Sequence, residues 1–123
     1  MNVTAIEKYC GFEVKLDKGQ KIALRNPNHP GNYSGKINCL WKFTSDVLIG
    51  VTCKSVKLPQ SLNCDQDYLE ITPDKESAPT RLCGVGEYSE KSIAREIGIL
   101  LSTVSNTSGG KFECIIEAAG AGE

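Results

Sequence analysis

The stretch CLWKFTSDVLIGVTC, residues 39–53, decides the fold because its apolar residues recur at every second position. Cys39, Trp41 and Phe43 share one face of an extended chain. The odd-numbered positions at residues 47–53 share a face in the same way. Successive side chains of a β-strand point to opposite faces, so this period of two predicts strands with one buried face. Trp41 is therefore expected in the core rather than on a ligand-stacking surface.

The same alternation recurs along the chain, between segments rich in proline, glycine, asparagine and serine that predict turns. No segment has a convincing helical period of apolar residues. Many short strands at even spacing are typical of an antiparallel β-sandwich or barrel, so we expect an all-β domain. The apolar faces of the further strands are formed by Ile22 and Leu24, by Leu69 and Ile71, and by Phe112, Cys114 and Ile116.

Six cysteines, an even number, are spread over 123 residues, and no two of them form a Cys-x-x-Cys pair. Structural zinc sites bring closely spaced cysteine pairs, often with histidines, whereas this chain has a single histidine, His29. The cysteines therefore predict disulfide bonds, which persist only in oxidising compartments. We accordingly expect an extracellular, secreted protein.

The strand pattern also orients two of the cysteines. Cys53 shares a face with Ile49 and Val51. Cys114 shares a face with Phe112. Both cysteines therefore point toward the core, where they could bond if their strands are neighbours. Six cysteines allow many connectivities, so the facing alone leaves the pairing open.

The charge of the chain is balanced, with 14 basic and 15 acidic residues and a formal net charge of −1 at pH 7. The chain has no basic stripe and no polybasic run. Neither nucleic acid nor an anionic membrane surface is therefore expected as a partner. The longest apolar run, residues 97–101, is far too short to cross a bilayer, so we expect no membrane insertion. The N-terminus has no apolar signal-peptide core, and we expect the secretion signal to be absent from this chain.

Five short motifs follow one another along the chain. They are NPNHPGNY at residues 26–33, CLW at 39–41, CDQDYLEI at 64–71, Cys83-Gly84, and GKF at 110–112. In this order and spacing they resemble the CUB domain family. The resemblance covers residues 10–117. Residues 1–9 are then an N-terminal extension, and residues 118–123, rich in alanine and glycine, are a flexible tail or linker.

The resemblance implies an extracellular antiparallel β-sandwich of about ten strands, jelly-roll-like, with no catalytic centre and no cofactor. It also implies two disulfide bonds, because the family joins its first shared cysteine to the second and its third to the fourth. Here these bonds are Cys10–Cys39 and Cys64–Cys83. Cys53 and Cys114 are extra to the basic family pattern and are left to pair with each other, in agreement with their inward facing.

Two segments resemble particular groups within this family. They are the segment between Cys53 and Cys64 and the run KFEC at residues 111–114. They are similar to CUB domains that precede serine protease domains in arthropods, and to CUB proteins of arthropod venoms and secretions. This implies a non-enzymatic binding module for a protein partner, acting as the regulatory or targeting domain of a secreted serine protease. The alternative is a free-standing secreted effector of the venom or seminal type that acts on a receptor or on carbohydrate.

Many CUB domains bind calcium through three carboxylates: a glutamate five residues before the third shared cysteine, an aspartate three residues after it, and a late aspartate. Asp67 is the only matching ligand here. Pro59 stands at the glutamate position, and Thr103, or alternatively Ser102, stands at that of the late aspartate. One carboxylate neither neutralises a divalent cation nor offsets the loss of its hydration shell. We therefore expect no metal site, and a structural role for Asp67 in bonding nearby backbone.

Catalytic residues are not expected. A Ser-His or Cys-His site needs a histidine near a nucleophile, and His29 lies in a proline-flanked turn. Ser108 and Lys111 fit the S-x-x-K pattern of some acyl-transfer enzymes. The two glycines between them predict a hairpin turn rather than the opening of a helix.

Asn2, Asn32 and Asn106 each begin an Asn-x-Ser/Thr sequon. Such sequons are candidate glycosylation sites in a secreted glycoprotein, although the tripeptide is also common by chance.

Tyr68 and Tyr88 are candidates for a binding surface, because a tyrosine brings a large rigid group to a contact with little loss of entropy. The polar segments at residues 74–80 and 85–91 are expected to be exposed loops, where binding function often lies.

Overall fold

Among the residues that the structure describes, eight β-strands and one 3-10 turn at Leu62–Cys64 make up the regular structure. The computed structural model describes residues 4–6, 11, 13–28, 30–73 and 78–120. Within this part of the chain, no helix is long and apolar enough to cross a membrane. The strands are β1 (Thr4–Ile6), β2 (Glu13–Leu16), β3 (Lys21–Arg25), β4 (Asn38–Lys57), β5 (Tyr68–Thr72), β6 (Thr80–Leu82), β7 (Val85–Ser102) and β8 (Lys111–Ala118).

Two of the strands are far longer than the others: β4 has 20 residues and β7 has 18. They pair in antiparallel fashion over most of their length, but the register shifts between Thr44 and Ile49 and again further on. Near the first shift, the Ser45 hydroxyl donates a hydrogen bond to the Leu16 carbonyl and accepts one from the Val47 amide. Such irregularities let a strand bend where its regular ladder is interrupted. Each long strand can therefore run through two packed layers.

Strand pairing on either side of these bends defines two layers of five strand segments each. In the first layer, β2, the N-terminal half of β4, the C-terminal half of β7, β5 and β6 follow one another. The second layer contains β1, β3, β8, the C-terminal half of β4 and the N-terminal half of β7. Among the described strands, β1 with β3 and β2 with β4 are parallel, and the other pairs are antiparallel. The expected antiparallel sandwich of about ten strands is confirmed once β4 and β7 are counted in both layers.

The core lies between the two layers and contains the apolar faces that the alternation predicts. Trp41 and Phe43 are buried from the first layer and Phe112 from the second. The rings of Trp41 and Phe112 meet edge to face, with centroids 6.3 Å apart and planes at 62°, which is a favourable geometry for aromatic pairs. The core position of Trp41 is thus confirmed. The other large side chains with full burial are Tyr33, Leu16, Leu24, Ile49, Leu69, Ile71, Ile97, Ile99 and Leu101.

Two of the expected disulfide bonds lie among the described residues. Cys53–Cys114 joins β4 to β8, with Cα atoms 4.1 Å apart and both cysteines fully buried. Cys64–Cys83 joins the 3-10 turn to the segment before β7 and is partly exposed. Both pairings agree with the sequence-based prediction.

The third expected bond involves a residue outside the described part of the chain. Cys39 is disulfide-bonded, and its expected partner, Cys10, lies outside the described residues. The pairing Cys10–Cys39 therefore stays a prediction, which peptide mapping under non-reducing conditions can test.

Residues 85–91, expected to form an exposed loop, are instead the N-terminal half of β7. Gly84 ends the preceding turn at a φ of 74°, and pairing with β4 starts at the next residue, Val85. This half of β7 is an edge of the second layer, so its polar side chains face water and obscure the alternation. The other expected loop, residues 74–80, lies partly outside the described residues, and Thr80 begins β6.

Both ends of the domain contribute more sheet than the sequence predicts. Residues 4–6, assigned to an N-terminal extension, form β1 and pair with β3. Ala118, assigned to the flexible tail, is buried in β8 and pairs with Ile49. The Ala119 amide then donates a hydrogen bond to the Leu48 carbonyl. The structure thus places Ala118 in β8 rather than in a tail, because a composition of small residues does not distinguish a linker from a buried strand end.

We predict that the double variant Cys53→Ala/Cys114→Ala loses more stability than Cys64→Ala/Cys83→Ala. The two bonds span sequence separations of 61 and 19 residues, and a bond that closes a longer loop restricts the unfolded chain more. The free energy of unfolding should fall by about 4 kcal/mol in the first variant and by about 1 kcal/mol less in the second. Urea unfolding of the two variants measures the difference. A larger loss in the Cys64→Ala/Cys83→Ala variant would contradict the loop-closure explanation.

Candidate functional site

A buried carboxylate, that of Asp67, lies at one end of the sandwich between the 3-10 turn and β5. Its side chain is only 1% exposed. Its Oδ2 accepts a hydrogen bond of 2.7 Å from the Tyr33 hydroxyl and a further one from the Thr107 hydroxyl. Its Oδ1 accepts a hydrogen bond of 2.9 Å from the Val104 amide. A buried carboxylate needs such donors to replace its lost hydration, so Asp67 holds together segments that are distant in sequence.

Tyr33 is placed by a turn that is bonded to β8. The fully buried Asn26 accepts a hydrogen bond from the Phe112 amide and donates one to the Gly31 carbonyl. The Tyr33 amide in turn donates to the Gly110 carbonyl over 2.8 Å. The turn and the start of β8 therefore form one bonded unit that directs the Tyr33 ring into the core.

Two glycines allow the chain segments to approach closely beside this ring. A Cβ on Gly109, which has a φ of 92°, would lie 2.6 Å from the Tyr33 carbonyl oxygen. A Cβ on Gly110 would lie 2.6 Å from the Lys57 carbonyl oxygen and 3.1 Å from the Tyr33 hydroxyl. The pair expected to form a turn before β8 thus also creates the space in which Tyr33 reaches Asp67.

Thr103, which the family resemblance, with Ser102 as the alternative, aligns with a late aspartate, bonds the backbone of a neighbouring loop. It is buried, and its hydroxyl accepts a hydrogen bond from the Ile37 amide and donates one to the Gly35 carbonyl, both of 2.7 Å. Pro59, at the position of the missing glutamate, is partly buried in the loop after β4. Among the described residues, no three His, Cys, Asp or Glu side chains cluster as metal ligands. The structure therefore surrounds Asp67 with hydroxyl and amide donors, while the absence of calcium binding stays a prediction.

Tyr33 and Thr107 contribute the two side chains that bond Asp67, and sequence reasoning missed both of these contacts. They lie 34 and 40 residues from Asp67 along the chain, so no local spacing could have linked them. Each is the middle residue of a sequon whose asparagine, Asn32 or Asn106, is exposed. The buried cluster thus lies beneath two candidate glycosylation sites, while Asn2 lies outside the described residues.

The two tyrosines predicted as binding candidates lie in different layers. Tyr68, on β5, is partly buried beneath the Arg81 guanidinium, whose carbon lies 3.9 Å from the ring centroid. Tyr88, on β7, packs against the core, and burial followed by the nearby Glu90 raises the pKa of its phenol. The structure therefore does not bring Tyr68 and Tyr88 together into one surface, and their role in binding stays a prediction.

None of the described hydrogen bonds of this cluster involves the side chain of Ser108 or Lys111, the two residues of the S-x-x-K pattern. Ser108 is exposed in the turn before β8, and Lys111 is the first residue of that strand. His29 lies outside the described residues.

The Tyr33 phenol makes the free energy of unfolding decrease at alkaline pH. Its burial, followed by the hydrogen bond and negative charge of Asp67, raises the pKa of Tyr33 far above its ordinary value. The unfolded chain therefore loses this proton at lower pH than the folded chain does. The resulting stability is fully present below the unfolded pKa of about 10 and is lost as the pH rises above it.

We predict that the free energy of unfolding falls above about pH 10, at up to about 1.4 kcal/mol per pH unit from this group. Tyr33→Phe should show a clearly shallower fall. Tyr88→Phe is the comparison variant, because its phenol also resists ionisation but is less deeply buried. Urea unfolding between about pH 8 and pH 11 measures these slopes. Equal slopes for the wild type and Tyr33→Phe would contradict the role given to this phenol.

Comparison with known proteins places the fold in a family. The family model described as CUB domain matches residues 10–113. Human tolloid-like protein 1 is 34% identical over 83 residues, which cover 63% of this chain and 8% of that protein. The cubilin homolog of Drosophila melanogaster is 36% identical over 64 residues, which cover 50% of this chain and 2% of that protein.

A solved structure, the CUB1-EGF-CUB2 domains of rat MASP-1, superposes with a TM-score of 0.70 at 13% identity. The match covers 88% of this chain and 43% of that chain, and at such low identity it shows the fold alone. The chain spans only a small part of the two curated relatives described above: 8% of the length of tolloid-like protein 1 and 2% of the length of the cubilin homolog. The family match, by contrast, extends over most of the chain. The chain therefore belongs to the CUB domain family, whose members are protein-interaction modules of extracellular proteins.

Proposed function

We propose that this domain is a non-enzymatic extracellular binding module that acts through protein–protein contacts, as the regulatory or targeting domain of a secreted serine protease. The observation that carries the proposal is the CUB match over residues 10–113 on a sandwich whose layers are joined by shared strands. The protease is proposed from the likeness of residues 53–64 and 111–114 to CUB domains that precede serine proteases in arthropods.

The hydrogen bonds of the buried Asp67 cluster support a structural rather than a catalytic role for this carboxylate. The Asp67 carboxylate is buried and accepts hydrogen bonds from Tyr33, Val104 and Thr107, so its lone pairs are used within the fold. A general base, by contrast, must reach a proton of the substrate. Turnover of peptide or ester substrates by the isolated domain, lost in His29→Ala, would contradict a non-enzymatic role.

An extracellular location is supported by the covalent structure and by the family. Both disulfide bonds among the described residues require an oxidising compartment to persist. CUB relatives are extracellular or secreted proteins. Asn32 and Asn106 are exposed and thus accessible to a glycan. We propose that the protein is secreted and that one or both of these asparagines carry a glycan.

Binding by this domain should not require calcium. The Asp67 carboxylate is already committed to hydroxyl and amide donors, and neither Pro59 nor Thr103 brings a second carboxylate. Titration calorimetry with calcium chloride should therefore give no binding heat at micromolar concentrations. Asp67→Asn should lower the free energy of unfolding by about 1–3 kcal/mol equally with calcium or with EDTA, because an amide nitrogen cannot accept these bonds. Micromolar affinity that Asp67→Asn abolishes would contradict this prediction.

Affinity capture tests the proposed function most directly. The folded domain, immobilised through its C-terminus, should retain a specific protein in a saturable manner from the extracellular fluid of its source. The matched control is the same domain after reduction and alkylation, which should retain none of it. Equal retention by the folded and the reduced domain would contradict a folded binding surface.

The full-length transcript separates the proposed role from its alternative. A serine protease domain encoded after Glu123 would support a regulatory or targeting domain. A stop codon close to Glu123 would instead favour the free-standing effector, with a receptor or carbohydrate as its target.

A further inference from the structure

Three side chains stand in a row across the outer face of the second layer. Lys57 of β4 lies directly opposite Lys111 of β8 on one side and Val85 of β7 on the other. Directly opposed residues of neighbouring strands point to the same face of a sheet. Lys57 is exposed and Lys111 partly exposed, so the row presents two ammonium groups and one branched apolar group to solvent.

The two lysines form a like-charge pair where neighbouring rows form opposite-charge pairs. On the same layer, Lys21 is opposed to Glu117 and Arg25 to Glu113, and each pair forms a salt bridge between β3 and β8. Within the described part of the chain, neither lysine of the row forms an ion pair. Like charges directly opposite each other destabilise a sheet. The row therefore retains an unfavourable arrangement that an anionic partner would relieve.

Two large apolar side chains, those of Leu62 and Val85, are unusually exposed. Leu62 and Val85 are 81% and 83% exposed, the highest values among the large hydrophobic side chains described. Leu62 lies two residues before Cys64, and Val85 lies two residues after Cys83, so the Cys64–Cys83 bond holds both near one end of the sandwich. Exposed apolar groups gathered at one place mark binding sites more often than scattered ones do.

The exposed groups are carried by a rigid backbone. The Leu58 amide donates to the Gly84 carbonyl over 2.9 Å, which fixes the end of β4 to the start of β7. The Asp65 amide donates to the Leu62 carbonyl over 3.2 Å, which closes the turn that carries the leucine. A surface fixed in this way loses little conformational entropy on binding.

The acidic side chains near the row form no salt bridge with Lys57 or Lys111 in the described part of the chain. Glu113, two residues along β8 from Lys111, is paired with Arg25. Glu87, two residues along β7 from Val85, lines a shallow hollow together with Lys54. Asp65 is exposed beside the turn that carries Leu62, and the structure shows no salt bridge between it and either lysine of the row.

We propose that Lys57, Leu62, Val85 and Lys111, here called the basic-apolar patch, bind an acidic segment of a protein partner that also inserts an aliphatic or aromatic side chain. The inference rests on the proposed function, since it assigns a surface and a partner chemistry to the binding module. Carboxylates of the partner complement the lysine pair, and its apolar side chain covers Leu62 and Val85. Electrostatic complementarity of this kind favours fast and selective association.

A display library of random dodecapeptides, panned against the folded domain, provides the probe. The selected peptides should be enriched in aspartate or glutamate next to leucine, isoleucine or phenylalanine. Their binding should weaken as salt is raised from about 50 to 500 mM. Amide shifts in NMR titrations should cluster at the four residues of the basic-apolar patch.

Matched variants separate binding from folding. Lys57→Glu should weaken binding of the selected peptide by about tenfold or more. The same change removes the repulsion from Lys111, so the melting temperature should rise by about 1–4 °C. Lys18→Glu, with the same charge change in the exposed turn between β2 and β3, should leave binding unchanged. Leu62→Ser/Val85→Ser should weaken binding without lowering the melting temperature, because both side chains are in solvent.

Four other results of these experiments would contradict the basic-apolar patch or the binding function. Selected peptides that bind a different face would overturn the basic-apolar patch while leaving the proposed binding function intact. Recovery of no binding peptides would count against the binding function itself. Equal weakening by Lys57→Glu and Lys18→Glu would overturn the patch in favour of a general charge effect. Stronger binding to phosphatidylserine vesicles than to the peptides would reassign the patch to a membrane surface.

Discussion

The antiparallel pairing of β4 with β7 is the interaction on which the rest of the structure depends. Both strands run through both layers, so each layer has this pair at its centre or edge. The bends near Ser45 let one strand serve two sheets, and the Cys53–Cys114 bond fixes the second half of β4 to β8. A single core, with Trp41 against Phe112, then fills the space between the layers. The two layers cannot separate without breaking the strands that they share.

The buried cluster around Asp67 holds the loops together at one end of the sandwich. Loops have few backbone partners of their own, and their polar groups cost free energy when buried unpaired. Here one carboxylate joins Tyr33, Val104 and Thr107, while Thr103 bonds the loop at residues 35–37. The Asp67 carboxylate, which the family resemblance associates with a calcium site, forms internal hydrogen bonds in this structure. The cluster orders the end of the domain near the basic-apolar patch, since Gly110 lies beside both Tyr33 and Lys57.

Period-two alternation predicts the core well, because burial of one strand face leaves a direct pattern in the sequence. The inward facing of Cys53 and Cys114 follows from it, and so does the burial of Trp41. The edge of the second layer at residues 85–91 was not predictable in this way, since an edge strand with a solvated outer face resembles a polar loop. The meeting of Tyr33 and Thr107 at Asp67 depends on tertiary contacts alone. Family resemblance identified Asp67, but it could not identify the groups that replace the missing carboxylates.

Because the two layers share β4 and β7, we expect them to behave as a single rigid body. Native-state hydrogen exchange of the hydrogen-bonded core amides in the two halves of β4 tests this claim directly. We expect the N-terminal half of β4, around Phe43, and the C-terminal half, around Val51, to open with the same free energy, equal to that of global unfolding. Exchange of one half through a separate opening of much lower free energy would contradict it.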